Sequence, residues 1–258
     1  MVRAPLTING DSAEYALDTG AAVSLLSESE AKRLGLAVRN IDTRMEGMSG
    51  AGTGASVAVA KSITIGNTRL AHVAFYVLAD NQPPFADLPP GKRGIIGIPV
   101  ILALENLRWN PRAGTFSCGF TSRPGIPRRP NLAFEGAMPL TQVLFQHTPL
   151  EFSLDTGAQS TDLYPSFAKA FANIIQASGR RETHKLTGID GSANFDSVVL
   201  PSVTLQAGAY GLLLKPAHVL LVEHSSTSSM YFGNLGMDLL NQAHNITLDF
   251  RSMRLTLE

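Results

Sequence analysis

The chain has 258 residues, of which 44% are apolar and only 16% charged, and its 21 basic and 21 acidic side chains leave a formal net charge of zero. That balance excludes a disordered chain and offers nothing to draw it to nucleic acid or to an anionic membrane surface. Cys118 is the single cysteine, so no internal disulfide forms, and there is no apolar run of about 18 residues to span a membrane as a helix.

In chain order, strand-like sequence begins at Leu6-Thr7-Ile8, with no visible signal peptide before it. A short apolar strand, Tyr15-Ala16-Leu17, runs into Asp18-Thr19-Gly20-Ala21. A helix follows, with Ser27 and Glu30 in a capping-box pattern and Gly35 at its end. Gly47-Met48-Ser49-Gly50 reads as a glycine-framed hairpin tip, with Gly52 and Gly54 close behind. Strands are expected at Ser56-Val57-Ala58-Val59 and Ser62-Ile63-Thr64-Ile65. A Pro-rich loop from Asp80 to Gly91 precedes Gly94-Ile95-Ile96-Gly97, and Asn106-Leu107-Arg108-Trp109-Asn110 follows. Residues 121–136 contain Pro124, Pro127 and Pro130 with Arg123, Arg128 and Arg129 and show no period, which predicts a linker.

Beyond the linker the pattern repeats. Phe152-Ser153-Leu154 leads into Asp155-Thr156-Gly157-Ala158, and Phe167, Phe171, Ile174 and Ile175 keep helical spacing up to Gly179. Gly188-Ile189-Asp190-Gly191 is a second glycine-framed tip, and strands are expected at Val198-Val199-Leu200 and Val203-Thr204-Leu205. A Ser-rich loop from Ser225 to Ser229 precedes Gly233-Asn234-Leu235-Gly236. Ile246 to Phe250, Arg251-Ser252 and Met253 to Leu257 read as strand, turn and strand. From Asp18 to Gly97 is 79 residues and from Asp155 to Gly236 is 81, so the two halves match at low resolution. The expected organisation is an N-terminal lobe over 1–120, the linker over 121–136 and a C-terminal lobe over 137–258.

One Asp-Thr-Gly is an ordinary turn sequence. Two copies in matching contexts point further, because two carboxylates brought face to face share one proton. Such a pair holds one acid and one base, enough to activate a water without metal or cofactor. Other motifs fall away. Gly50-Ala51-Gly52-Thr53-Gly54-Ala55 lacks the flanking strand and helix of a dinucleotide loop. Gly47-Met48-Ser49-Gly50 is not a nucleophile elbow. The six histidines show no metal-ligand spacing and Cys118 has no partner, so neither metal nor cofactor is expected.

Together, the paired Asp-Thr-Gly-Ala motifs and Ile95-Ile96-Gly97 resemble the aspartic peptidases of clan AA. Asn234-Leu235-Gly236 departs at its first position, where asparagine replaces an apolar residue. The resemblance implies a mostly β fold of two pseudo-twofold-related lobes, barrel-like with short helices, and an active-site cleft between them. It implies Asp18 and Asp155 as the catalytic pair, and Thr19, Gly20, Ala21, Thr156, Gly157 and Ala158 as their support. Gly47, Met48, Ser49 and Gly50, with Gly188, Ile189, Asp190 and Gly191, would form mobile flaps over substrate. Alanine after Asp-Thr-Gly and the short lobes are more similar to the retroviral-type proteases, as if a dimer of short lobes were fused into one polypeptide. Ala22-Val23, Gln159-Ser160, Ile98-Pro99 and Met237-Asp238 depart from the retroviral pattern, so substrate preference does not carry across.

The implied activity is that of an aspartic endopeptidase acting on a peptide or protein substrate, as a monomer. Ala21 and Ala158 have no hydroxyl to stabilise an outer carboxylate oxygen, which predicts activity at mildly acidic to near-neutral pH. The fused pattern occurs in some bacterial clan members and favours a periplasmic or secreted enzyme if a leader has been trimmed. The alternatives are a catalytically silent peptide-binding protein of the same fold, or an enzyme awaiting activation.

Overall fold

The computed structural model describes residues 1–45, 53–86, 88–89, 91–120, 129–188, 191–223 and 230–258. The first half contains β1 (Val2–Ile8), β2 (Asp11–Leu17), β3 (Leu25–Ser27), α1 (Glu28–Arg33), β4 (Arg39–Met45), β5 (Thr53–Ile65) and β6 (Thr68–Leu78). It continues with β7 (Gly94–Ile96), α2 (Ile98–Ala103), β8 (Asn106–Asn110) and β9 (Thr115–Cys118). The second half contains β10 (Leu132–Glu135), β11 (Met138–Phe145), β12 (Thr148–Leu154), β13 (Asp162–Leu163), α3 (Pro165–Ala170), α4 (Ala172–Ser178) and β14 (Arg180–Gly188). It continues with β15 (Gly191–Leu200), β16 (Val203–Ala207), β17 (Tyr210–Leu214), β18 (Ala217–Leu220), β19 (Gly233–Leu235), α5 (Met237–Leu240), β20 (Ile246–Asp249) and β21 (Arg254–Leu257).

Three sheets organise these strands. The first runs β1-β2-β7-β3-β6-β5-β4, and a β1–β5 pairing closes six of its strands into a barrel. The second belongs to the other half and stays open, running from β14 through β15, β18, β13, β19, β12, β11 and β16 to β17, with β10 beside β11. The third, β21-β20-β8-β9, takes two strands from each half. In it Leu107 lies opposite Leu248 and Trp109 opposite Ile246, all four buried. The main core is therefore continuous across the halves. The fold is mostly β and bilobal, as the sequence implies.

Several local expectations are refined. Ser56–Val59 and Ser62–Ile65 belong to one strand, β5, paired with β6 from Ser56↔Val77 to Ile65↔Thr68. The buried positions change parity between Ala60 and Ile63, where β5 also meets β1, so alternation alone reads as two strands. The helix expected up to Gly179 breaks at Phe171, whose ring packs against Phe145 and Phe167 at centroid distances of 4.8 and 4.7 Å. Leu132–Glu135, inside the expected linker, pairs with β11, while residues 121–128 lie outside the described residues. At α1 the Ser27 hydroxyl accepts from the Glu30 amide at 3.2 Å. Glu30 does not complete the capping box. Its carboxylate turns inward to Arg33, at 2.7 Å, and to the Tyr15 hydroxyl.

Candidate active site

Both Asp-Thr-Gly turns leave the ends of buried strands. Residues 15–17 and 152–154 are almost fully inaccessible, and each strand pairs in parallel with its glycine-marker strand, β2 with β7 and β12 with β19. The ladders extend one residue into the turns. The Asp18 amide donates to the Ile96 carbonyl at 2.9 Å, and the Asp155 amide to the Leu235 carbonyl at 3.1 Å. Each carboxylate is thereby held at the open end of a parallel strand pair.

Thr19 and Thr156 lock the two turns together. The Thr19 hydroxyl donates to the Leu154 carbonyl at 2.6 Å and accepts from the Thr156 amide at 3.0 Å. The Thr156 hydroxyl donates to the Leu17 carbonyl at 2.8 Å and accepts from the Thr19 amide at 3.0 Å. Both side chains are buried, so four hydrogen bonds shielded from water cross between the halves. The Gly20 amide donates to Asp18 at 2.9 Å, while the Gly157 and Ala158 amides donate to Asp155 at 2.8 and 2.9 Å. A Cβ on Gly20 would fall 2.6 Å from the Asp155 carboxyl carbon, and one on Gly157 would fall 2.4 Å from that of Asp18. The missing side chains are what let the two carboxyl groups approach.

Burial, followed by the neighbouring Asp155, pushes the Asp18 carboxyl up to about 7, and burial also raises Asp155. Two carboxylates this close resist ionising together, so the pair holds a proton well above the ordinary carboxylate range. Ala21 and Ala158 contribute backbone only. Their carbonyls accept from the Ile98 and Met237 amides, tying each turn to a following helix.

The dyad opens into a cavity of about 590 Å³ lined by residues of both halves, among them Met45, Ile95, Thr187 and Ser192. Gly188 also lines it and lies opposite Gly191 at the end of the β14–β15 hairpin. Gly47, Met48, Ser49, Gly50, Ile189 and Asp190 lie outside the described residues.

Sequence reasoning passed over a second pair of supports. The Ser24 hydroxyl accepts from the Gly97 amide at 3.0 Å, and the Thr161 hydroxyl from the Gly236 amide at 2.8 Å. Each stands six residues after its aspartate, and that shared spacing was the available signal. Asn234 also gains a reason. Its side-chain carbonyl accepts from the Asp162 amide at 2.9 Å and its amide donates to the Ser160 carbonyl at 3.2 Å, so the polar side chain is buried but satisfied.

The aspartyl protease family profile matches residues 4–100. That segment holds the barrel, the first Asp-Thr-Gly turn and the marker strand that carries it. Over residues 4–100 the chain is therefore similar to the aspartyl protease family. The second half repeats the turn, the marker and the cross-lobe threonine, each with matching hydrogen bonds. Among solved structures, a retropepsin-like aspartic protease from Rickettsia conorii is 15% identical over 42% of this chain and 73% of its own, with a TM-score of 0.31. EIAV protease in complex with the inhibitor HBY-793 is 25% identical over 41% of this chain and 86% of its own, with a TM-score of 0.29. No curated protein matches the sequence.

Proposed function

We propose that the chain is an aspartic endopeptidase in which Asp18 and Asp155 together activate the water that hydrolyses a peptide bond. The observation that carries this reading is the close pair of carboxyl groups, one from each half, facing a cavity that both halves line. In this mechanism the ionised Asp155 takes a proton from water. Protonated Asp18 gives its proton to the scissile carbonyl oxygen; as the C–N bond breaks, Asp155 passes the proton taken from water to the leaving amine and the gem-diol returns a proton to Asp18. No covalent intermediate forms. An extended peptide would lie across the cavity beneath the β14–β15 hairpin, and one chain supplies both carboxylates, so a monomer suffices.

The test is cleavage profiling of a diverse peptide library by mass spectrometry from about pH 3 to about pH 8, with Asp18→Asn as control. Cuts made by the parent and absent from the variant are expected, with the greatest rate in mildly acidic to near-neutral solution. A maximum below about pH 3.5, under the free aspartate range, contradicts the proton assignment. Folded parent protein that binds peptides without cutting them at any pH would instead make this a binding module.

A further inference from the structure

Four titratable side chains gather on the second half's sheet away from the dyad. Glu182 and His184 stand two apart on β14 and so share a face. His218 stands on β18, with β15 between, and Asp162 lies directly opposite His218 on β13. Ser197 of β15, opposite Glu182, is small and donates its hydroxyl to the Glu182 carbonyl at 3.0 Å, so its side chain stays low. The longer side chains meet above it. The His184 and His218 rings stack with centroids 4.3 Å apart and planes 19° from parallel.

The contacts around these rings are incomplete. His184 Nε2 lies 2.9 Å from Asp162 Oδ1, and His218 Nδ1 lies 3.1 Å from Glu182 Oε1. Beyond these approaches, Asp162 Oδ1, His184 Nε2 and His218 Nδ1 are buried with no further hydrogen-bond partner. Asp162 itself is only 5% exposed. One ligand atom from each of Glu182, His184 and His218 lies within 4.8 Å of the other two. Around a tetrahedral zinc ion, ligand atoms at about 2.1 Å stand about 3.4 Å apart, a contraction that side-chain rotation supplies.

We propose that Glu182, His184 and His218 bind one divalent transition-metal ion, zinc by preference, and that the buried Asp162 carboxylate orients the His184 ring. Two imidazoles and a carboxylate are a borderline-soft donor set suited to zinc, with a fourth position for water. A carboxylate behind a ligating imidazole fixes its tautomer and raises its basicity. The spacing expected of a metal motif is absent because the third ligand arrives from β18, 34 residues after His184. The site has a mechanical consequence. Among the described residues β14 is an edge strand paired with β15 alone, and the hairpin they form ends at the dyad cavity. The ion ties that edge to β18 and stiffens the hairpin.

The metal site stands whether or not the chain cleaves peptides, so the test reads binding directly. Tag-free full-length protein is titrated with Zn²⁺ by calorimetry and with Co²⁺ by visible absorption. One equivalent per chain is expected, with the d–d bands of a four-coordinate cobalt site. His218→Ala and His184→Gln, each checked for folding by circular dichroism, lose at least about 10-fold in affinity. Asp162→Asn loses about 10- to 100-fold while keeping one equivalent. His147→Ala, on an exposed turn remote in sequence, leaves binding unchanged. Absence of binding by the folded parent overturns the proposal, as does full binding by either histidine variant of the cluster.

Discussion

Replacing Asp18 by Asn tests the shared proton without any need for a substrate. The Asp18 carboxyl sits at about 7 in the folded chain against an ordinary 3.8. Between those values the unfolded chain has released a proton that the folded chain still holds, so folding stability falls as pH rises through the interval. At about 1.4 kcal/mol per unit, the full shift corresponds to about 4 kcal/mol, an upper limit because the titration belongs to the pair. Asparagine imitates the protonated acid at every pH and does not titrate. The variant should therefore gain on the parent by up to about 4 kcal/mol between about pH 4.5 and about pH 8. For a chain of this size that is a divergence in Tm of order 10 °C. Thermal melts of both proteins across that range measure it. Parallel Tm curves, or a variant that falls behind the parent as pH rises, would refute the shared-proton reasoning.

Two further outcomes follow from the same geometry. Thr19→Val removes a hydroxyl that makes two buried hydrogen bonds across the halves, leaving the Leu154 carbonyl and the Thr156 amide unpaired. Urea unfolding should show a loss of about 2–4 kcal/mol, and a change below about 0.5 kcal/mol would contradict the cross-lobe bracing. Leu248→Ala empties a fully buried position in the sheet that joins the halves. It should cost about 2–5 kcal/mol and lower a single melting transition rather than split it in two.

The geometry of the candidate site was legible because it is written in contiguous residues. Asp-Thr-Gly-Ala needs no distant partner to be read, and the glycine markers are constrained just as locally. A Cβ on Gly97 would meet the Val23 carbonyl oxygen at 2.4 Å, and one on Gly236 the Ser160 carbonyl oxygen at 2.4 Å. Asn106–Asn110 and Asn245–Asp249 each follow a glycine marker, at a constant offset of 139. Only the fold shows that they are hydrogen-bonded neighbours as well as counterparts. What stayed hidden depends on tertiary contacts. The break at Phe171 follows from where its ring packs, and the histidine cluster comes from strands that adjoin only once the sheet is assembled. The inward turn of Glu30 is set by Arg33 and Tyr15, the latter on another strand.

The sheet shared by the halves also bears on synthesis. β8 is complete at Asn110, but β20, its partner, starts only at Ile246. At about 5–20 residues per second the ribosome needs roughly 7–30 s to make the intervening chain. Through that interval β8 has β9 on one side and an open row of amides and carbonyls on the other. A nascent first half thus displays an adhesive border, with the apolar faces of Leu107 and Trp109 beside it. Chains translated in close succession on one message would meet at that border, and the hazard ends only when β20 seals it from within.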